Sequence, residues 1–318
     1  MLVASALVIG KGKAMRVAVS GTNGFVGKAL VVRLLQAGHI VVPVVRDAGG
    51  SSAAISTGDL AAPVLPTAVP ALDTVVHLAA HTHARHDDAA DSRLWATNVE
   101  GTRALLAIAR AGGTRRFVFL SSAKVNGERT AGHAFTADDV PAPEDAYGRS
   151  KLAAEQLVRT TCAEAGIDFA ILRPPLVYGP GQKGNLRALA MAVRRGIPLP
   201  FGCVENSRSL IHVANLADLI SVAATRPGTI GRVLMADDGT RLSTPDLIRA
   251  MGKGAGRPAR LLPIPPVLIE TAARLAGRSE QAQRLLGDLE VDGEATRTAL
   301  NWRPIVPRDY ALADAGAL

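Results

Sequence analysis

The sequence predicts an α/β protein built on a doubly wound parallel sheet, with a smaller lobe after about residue 174. Three observations carry this. Short β-branched runs alternate with amphipathic stretches from Met15 to Arg173, a glycine turn follows the first run directly, and Pro- and Gly-rich stretches break the pattern beyond it. Near-continuous apolar strands between helices imply a sheet covered on both faces.

In order, the strands read as MRVAVS (15–20), HIVVPVV (39–45), TVVHLA (74–79), RRFVFLS (115–121) and DFAILR (168–173), with amphipathic stretches at 24–37, 91–112 and 147–166. Further helical pieces fall at 184–195, 214–225, 243–253 and 266–277. The expected division is an extension over 1–14, a dinucleotide-binding domain over 15–173, and a mainly substrate-binding lobe over 174–318 interleaved with the end of the sheet. The extension, MLVASALVIGKGKA, places Lys11 and Lys13 after its apolar run rather than before it, unlike a signal peptide.

A chain of 318 residues suits one large domain with a smaller companion. Apolar residues make up 48% and aromatics 3%, so the core is built from small aliphatic side chains. Cys162 and Cys203 are too few for a disulfide framework and lack metal-ligand spacing, which points to a reducing cytoplasm. The net charge of +8 is spread along the chain, and an anionic small ligand explains it without nucleic acid. No apolar segment reaches the ~18 residues of a membrane span.

The first strand runs into Gly21-Thr-Asn-Gly24-Phe-Val-Gly27 and then a helix. Such glycines allow a tight turn and a close backbone approach to a pyrophosphate, while the helix start offers unpaired N–H groups. The end of strand two bears on cofactor choice. Val44-Val45-Arg46 offers a guanidinium where a carboxylate would bond the adenosine ribose, which favours NADP(H) and leaves NAD(H) open. Asp59, in Gly58-Asp59-Leu60, reads either as an adenine contact or as a plain turn aspartate. His77-Leu78-Ala79-Ala80 closes a strand at the ligand-binding edge, its small residues leaving room for cofactor.

Tyr147 and Lys151 stand four apart on a helix and so share a face. Tyr147 is either a packing residue or an acid. As an acid it gains from a neighbouring ammonium, which favours phenolate and lowers a tyrosine from about 10 toward working pH. It then gives a proton to a ketone oxygen while hydride reaches the carbon, with Ser122 polarising the same carbonyl. The group His81, His83 and His86 with Asp87 and Asp88 sits in a loop with no identifiable supporting partner, and no metal is expected there.

The motifs GTNGFVG, HLAA, TNVEGT (97–102), FLSSAKVNG (119–127), YGRSK (147–151), LRPPLVYGPG (172–181), RSLIHVANLAD (208–218) and ATRTALNWRP (295–304) jointly resemble the extended short-chain dehydrogenase/reductase superfamily. The likeness is to its nucleotide-sugar epimerase, dehydratase and reductase branch and implies a Rossmann-like fold. In that family Y-x-x-x-K and a Ser or Thr form the catalytic group, which maps onto Tyr147, Lys151 and Ser122, with Ser121 assisting. The resemblance implies cofactor contacts at Gly21, Asn23, Gly24, Phe25, Val26, Gly27, Arg46, Asp59, Leu60, Leu78, Ala79, Ala80, Asn98, Tyr147, Lys151 and Pro174. Asn98 resembles the asparagine that steadies the helix or a water near the catalytic lysine, and a helix-start cap is compatible with that.

The resemblance also implies a UDP- or dTDP-linked sugar held by Ser122, Asn185, Leu186 and Arg208, with Arg284 as a further diphosphate ligand; an Arg fork suits that group. Two departures stand out: Asn126, where many epimerases carry tyrosine, and Leu176, where some carry a phosphate-contacting Asn. Three readings follow. The stretch GIPLPFGCVENSRSLIHVANLADLI (196–220) is similar to reductases of UDP-4-keto-6-deoxy-hexosamines, and with Arg46 it makes reduction the leading expectation. A 4-epimerase working on a trapped NAD is the alternative, and a non-catalytic dinucleotide sensor is the alternative of another class, opposed by the retained Tyr147. The resemblance further implies a role in polysaccharide biosynthesis and a homodimer joined through the stretches 91–112 and 147–166.

Overall fold

The computed structural model describes residues 13–82, 88–226, 228 and 230–316. In chain order the elements are β1 (Arg16–Ser20), α1 (Phe25–Gln36), β2 (Ile40–Val45), β3 (Ile55–Ser56), β4 (Thr74–His77), α2 (Asp88–Trp95), α3 (Gly101–Ala111), β5 (Arg116–Leu120), α4 (Ala146–Ala165) and β6 (Asp168–Arg173). There follow β7 (Leu176–Tyr178), α5 (Gly184–Arg195), β8 (Arg208–His212), α6 (Val213–Thr225), β9 (Arg232–Met235), β10 (Thr240–Leu242), α7 (Thr244–Gly254), α8 (Pro266–Leu275), α9 (Ser279–Leu286), α10 (Glu294–Ala299) and α11 (Arg308–Ala313).

Seven parallel strands form the main sheet in the order β3-β2-β1-β4-β5-β6-β9. The order reverses between β1 and β4, so their C-terminal ends frame the crevice where ligands of such sheets bind. Apolar side chains on both faces account for the near-continuous strands. Val17, Val19, Val76 and Val118 pack against α1 and α6 through Leu30, Leu34, Leu216 and Ile220. Ala18, Val75, Phe117 and Phe119 pack on the other face with Leu105, Ile108, Ala154 and Val158 of α3 and α4. The architecture is the doubly wound sheet expected.

Beyond β6 the chain builds a second sheet, β10-β8-β7, with its own core of Tyr178, Leu186, Leu189, Leu210, Ile248 and Met251. It also returns to the first sheet, where β9 pairs with β6 from Ala170↔Arg232 to Arg173↔Met235. The stretch expected as one helix over 91–112 is interrupted. A π turn at Ala96–Glu100 joins α2 to α3, with the Gly101 N–H bonded to the Ala96 carbonyl. Such turns rotate the helix locally and cluster at functional sites.

Candidate functional site

The glycine turn is built to exclude side chains. Gly21 has φ +74°, and a Cβ there would lie 2.8 Å from the Ala79 nitrogen; one on Gly27 would lie 2.0 Å from the Gly21 carbonyl oxygen. The turn thus rests on both α1 and the loop after β4. Gly24 starts α1 without a side-chain cap, leaving first-turn N–H groups free of intrahelical partners. That donor set fits a pyrophosphate, with the partial positive charge of a twelve-residue helix behind it.

At the adenosine end Arg46 follows β2 and is exposed, with no carboxylate among residues 44–46. Asp59 accepts the Ala61 N–H at 3.1 Å and pairs with Arg93 at 2.9 Å. The Ala61 N–H first, then Arg93 and Arg46, hold its carboxyl below the usual range. Leu60 packs on the start of α3, where a Cβ on Gly101 would meet it at 3.1 Å.

His77 was not among the residues expected at the site, yet it joins the two halves of the crevice. The Leu78 and Ala79 N–H groups donate to Ser20 Oγ at 3.1 and 3.2 Å, and Ser20 Oγ lies 2.6 Å from His77 Nδ1. His77 Nε2 lies 3.2 Å from Thr102 Oγ1, which donates to the Asn98 carbonyl at 2.6 Å. Because the Thr102 proton is committed to Asn98, Nε2 carries the ring proton and Nδ1 accepts from Ser20. Burial, and then the Lys151 charge, push His77 down to about 3, so the ring is neutral. Asn98 extends the chain through its side chain. It accepts the His81 N–H at 2.8 Å and donates to the His81 carbonyl at 3.1 Å and to Ser150 Oγ at 2.9 Å. Ser150 in turn donates to the Tyr147 carbonyl at 2.8 Å. His83, His86 and Asp87 lie outside the described residues, as does the Asp88 side chain.

Tyr147 and Lys151 project from α4, whose first turn is capped by Asp145 accepting the Gly148 N–H at 2.7 Å. Ser122 ends the β5 segment at a short turn, accepts the Lys124 N–H at 3.3 Å, and acts to lower the Tyr147 phenol. Lys151 is buried, with Nζ 4.2 Å above the centre of the Phe119 ring. The expected lowering of the phenol by this ammonium is not what the geometry gives. Burial, then the Asp145 carboxylate, push Tyr147 above the ordinary tyrosine range, and only the Ser122 side chain opposes them. Lys151 is itself pushed down to about 7 by burial, with Glu155 partly restoring its charge. The physical reason is the shared dry setting, which penalises phenolate and ammonium alike.

Below them lies a buried ion pair. Arg173 meets both Glu155 oxygens, at 2.9 and 2.6 Å, and donates to Asn126 Oδ1 at 3.0 Å. Ser121 donates to Glu155 Oε1 at 2.5 Å. Ser121 therefore belongs to this network rather than beside Ser122 at the cleft. Asn126, the departure from the tyrosine of epimerases, turns inward and donates to the Thr136 carbonyl at 3.0 Å. Pro174 is buried, its carbonyl accepting the Ala123 N–H at 2.9 Å, which fixes the Ser122 turn against β6.

The C-terminal part brings two guanidinium groups toward α4. Arg284 of α9 stands 4.0 Å from Asp145, which also pairs with Lys124 at 2.6 Å; Lys124 also holds Glu128 at 2.5 Å. Arg208 starts β8, donates to the Gly287 carbonyl at 2.8 Å, and keeps a buried Nε without a partner among the described residues. Burial lowers its basicity, while Glu128 and Asp288 act to raise it. An unpartnered buried guanidinium nitrogen fits an anionic ligand. Asn185 is exposed at the start of α5, but Leu186 points into the core of the C-terminal part and its side chain is not at the cleft. Leu176 packs half-buried against the same core.

Among the residues missed, Asp145 carried a legible signal, an aspartate one step before a helix. Lys124, Glu155 and Arg173 carried none, because a charged residue in a run reads as a solvated position. Comparison with known proteins agrees with the geometry. Residues 17–234 match the model of the NAD dependent epimerase/dehydratase family. The chain is 37% identical over 298 residues to a UDP-glucose 4-epimerase of Vibrio cholerae, covering 90% of this chain and 89% of that one. Among solved structures, MoeE5 in complex with UDP-glucose and NAD superposes with a TM-score of 0.73 at 27% identity, covering 95% and 97% of the two chains. The UDP-glucose 4-epimerase of Thermotoga maritima shares the fold at a TM-score of 0.72 and 20% identity, covering 95% and 97%. The chain belongs to the NAD dependent epimerase/dehydratase family, nucleotide-sugar enzymes of the extended short-chain dehydrogenase type.

Proposed function

We propose that the protein is a C4 epimerase of a UDP-linked hexose, with Tyr147 as its acid and base. This reverses the leading expectation from sequence, which was reduction. The observation that carries the proposal is buried Lys151 one turn along α4 from Tyr147, with Arg284 held 4.0 Å from the Asp145 cap of that helix and a buried Arg208 Nε without a partner among the described residues. The Vibrio cholerae relative supports epimerisation over reduction, and the MoeE5 complex supports a UDP-hexose.

A bound nicotinamide supplies first the hydride acceptor and then the donor at C4. Tyr147 Oη removes the C4 hydroxyl proton as the C4 hydrogen leaves, and returns it to the ketone oxygen once the sugar presents its other face. Ser122 Oγ donates to the same oxygen. Lys151, near half-charge at neutral pH, stands one helical turn from Tyr147, where its ammonium form would favour phenolate against the burial that opposes it. Arg208 and Arg284 grip the diphosphate while the hexose turns. Residues 15–173 serve as the dinucleotide domain and 174–318 as the main nucleotide-sugar lobe.

A second reading rests on Arg46. Its exposed guanidinium at the end of β2 suits a 2′-phosphate, hence NADPH and net reduction of a UDP-4-keto-6-deoxy-hexosamine. One experiment separates the two. The purified protein is given UDP-glucose with NAD, and separately the 4-keto sugar with NADPH or NADH. Formation of UDP-galactose without net change in reduced nicotinamide is the expected result. Consumption of NADPH by the keto sugar with no epimer formed would overturn epimerisation in favour of reduction.

We also propose a cytoplasmic homodimer meeting through α3 and α4, consistent with free cysteines at Cys162 and Cys203. A monomer by light scattering at micromolar concentration would remove the dimer. Among the described residues no helix is long and apolar enough to cross a membrane.

A further inference from the structure

Away from the cleft, the charge is less evenly spread than a reading along the chain suggests. Residues 249–278 hold Arg249, Lys253, Arg257, Arg260, Arg274 and Arg278 against one carboxylate, Glu270, with Arg249 paired at 2.7 Å to Asp246 just before the segment. This segment carries a net +5 of the chain's +8.

Helix α8 lies within it and has no fully buried residue. Pro266, Ile269 and Ala273 are its half-covered side, and Ile269 joins the core of the C-terminal part. On the other side Leu268, Ala272 and Leu275 follow helical spacing and all face water, Leu268 57% and Leu275 86% exposed, with Val267 at 62% beside them. The apolar surface continues into the preceding segment. The Leu199 N–H donates to the Arg260 carbonyl and the Leu262 N–H to the Leu199 carbonyl, both at 2.8 Å, leaving Ile197 and Leu262 exposed nearby. Arg257 donates to the Arg194 carbonyl at 3.0 Å, so the basic ends of α5 and α7 stand together over a cavity of about 540 Å³ lined by Arg249, Lys253 and Arg257.

Leucines left in water forgo about 1.5–3 kcal/mol each on burial. Nucleic acid would account for the basic groups and not for the leucines. A protein partner would account for the leucines and leave the excess of basic groups at the rim without a purpose. A surface that is apolar within and anionic at its boundary answers both. We propose that α8 and its basic rim dock the protein on an anionic lipid bilayer, with Val267, Leu268 and Leu275 entering the acyl boundary and the rim meeting lipid phosphates. Helix α9, which carries Arg284, packs directly on α8 and sets the docked face one helix from the cleft. The proposal does not depend on which sugar reaction the cleft performs.

The test is sedimentation of the full chain with phosphatidylcholine vesicles, with and without phosphatidylglycerol. Binding is expected to be about tenfold tighter or more with phosphatidylglycerol and to weaken as salt rises. Leu268→Ser with Leu275→Ser is expected to lower that binding about tenfold, and Lys253→Glu with Arg260→Glu to abolish the lipid preference. All four positions are exposed, so thermal midpoint and turnover of a soluble substrate should be unchanged. Leu268→Trp should show blue-shifted emission only with anionic vesicles. Failure to bind vesicles overturns the proposal. So does undiminished binding by the leucine variant, which would mean charge adsorption alone, or a protein that self-associates through the stripe and ignores lipid.

Discussion

Tyr147, Lys151 and Glu155 occupy successive turns of one helix face, and the Glu155 carboxylate favours the Lys151 ammonium. Replacing Tyr147 with Phe is expected to lower turnover at least a hundredfold while leaving cofactor affinity within about twofold, because only the proton transfer is lost. Glu155→Gln removes the one carboxylate that favours the Lys151 ammonium, so the lysine should titrate below about 7 and the alkaline limb of the rate profile, where that ammonium is lost, should move down. The same change leaves Arg173 buried without its partner, and a loss of about 3–5 kcal/mol in urea unfolding is expected. His77 gives a different pH signature. Its folded form stays neutral to about pH 3 while the unfolded chain gains a proton near 6.5, so unfolding takes up a proton between those limits and stability falls as pH drops through them. From pH 7 to pH 5 the protein should lose about 2 kcal/mol more than His77→Asn loses, measured as the change in unfolding free energy of each. The motif made Tyr147, Ser122 and Lys151 legible in the sequence. The Glu155–Arg173 pair was not, since its partners stand on a helix and a strand, and only the fold brings them to one place.

Helices and strands differed in how well they could be read, for physical reasons. β1, β2, β4, β5 and β6 are apolar on both faces and stood out. β3 has two residues, and β8 reads RSLIH, a mixture that resembles a loop until β7 and β10 flank it. The π turn before α3 left no mark in the apolar pattern, because the inserted residue changes the bonding while the sequence continues to look helical. Yet that turn presents Asn98 to His81 and Ser150 at once. The glycine turn could be read together with its reason, and it supports a firm expectation. A Gly27→Ala chain places a methyl group within contact of the Gly21 carbonyl, forcing the turn off α1. Cofactor binding measured by fluorescence should weaken by about a hundredfold or more. Thermal stability should fall too, since α1 packs Leu30 and Leu34 against the sheet.

At the scale of the whole molecule, the late return of the chain to its first sheet governs how it can be cut. β6 is an interior strand only because β9 covers it. A fragment ending near residue 225 would keep the glycine turn, Tyr147 and Lys151 but leave β6 as a bare edge, a template for pairing with other chains. Such a fragment is expected to aggregate, seen as loss of soluble protein and rising light scattering, whereas the full chain stays in solution. The same feature has a temporal side. Fifty-nine positions separate Arg173 from Arg232, and at roughly 5–20 residues per second on the ribosome the β6 edge stays uncovered for roughly 3–12 seconds. During that interval the nascent protein already holds its whole reactive helix and yet has no closed sheet to support it, which makes β6 the place where a chaperone has most to protect.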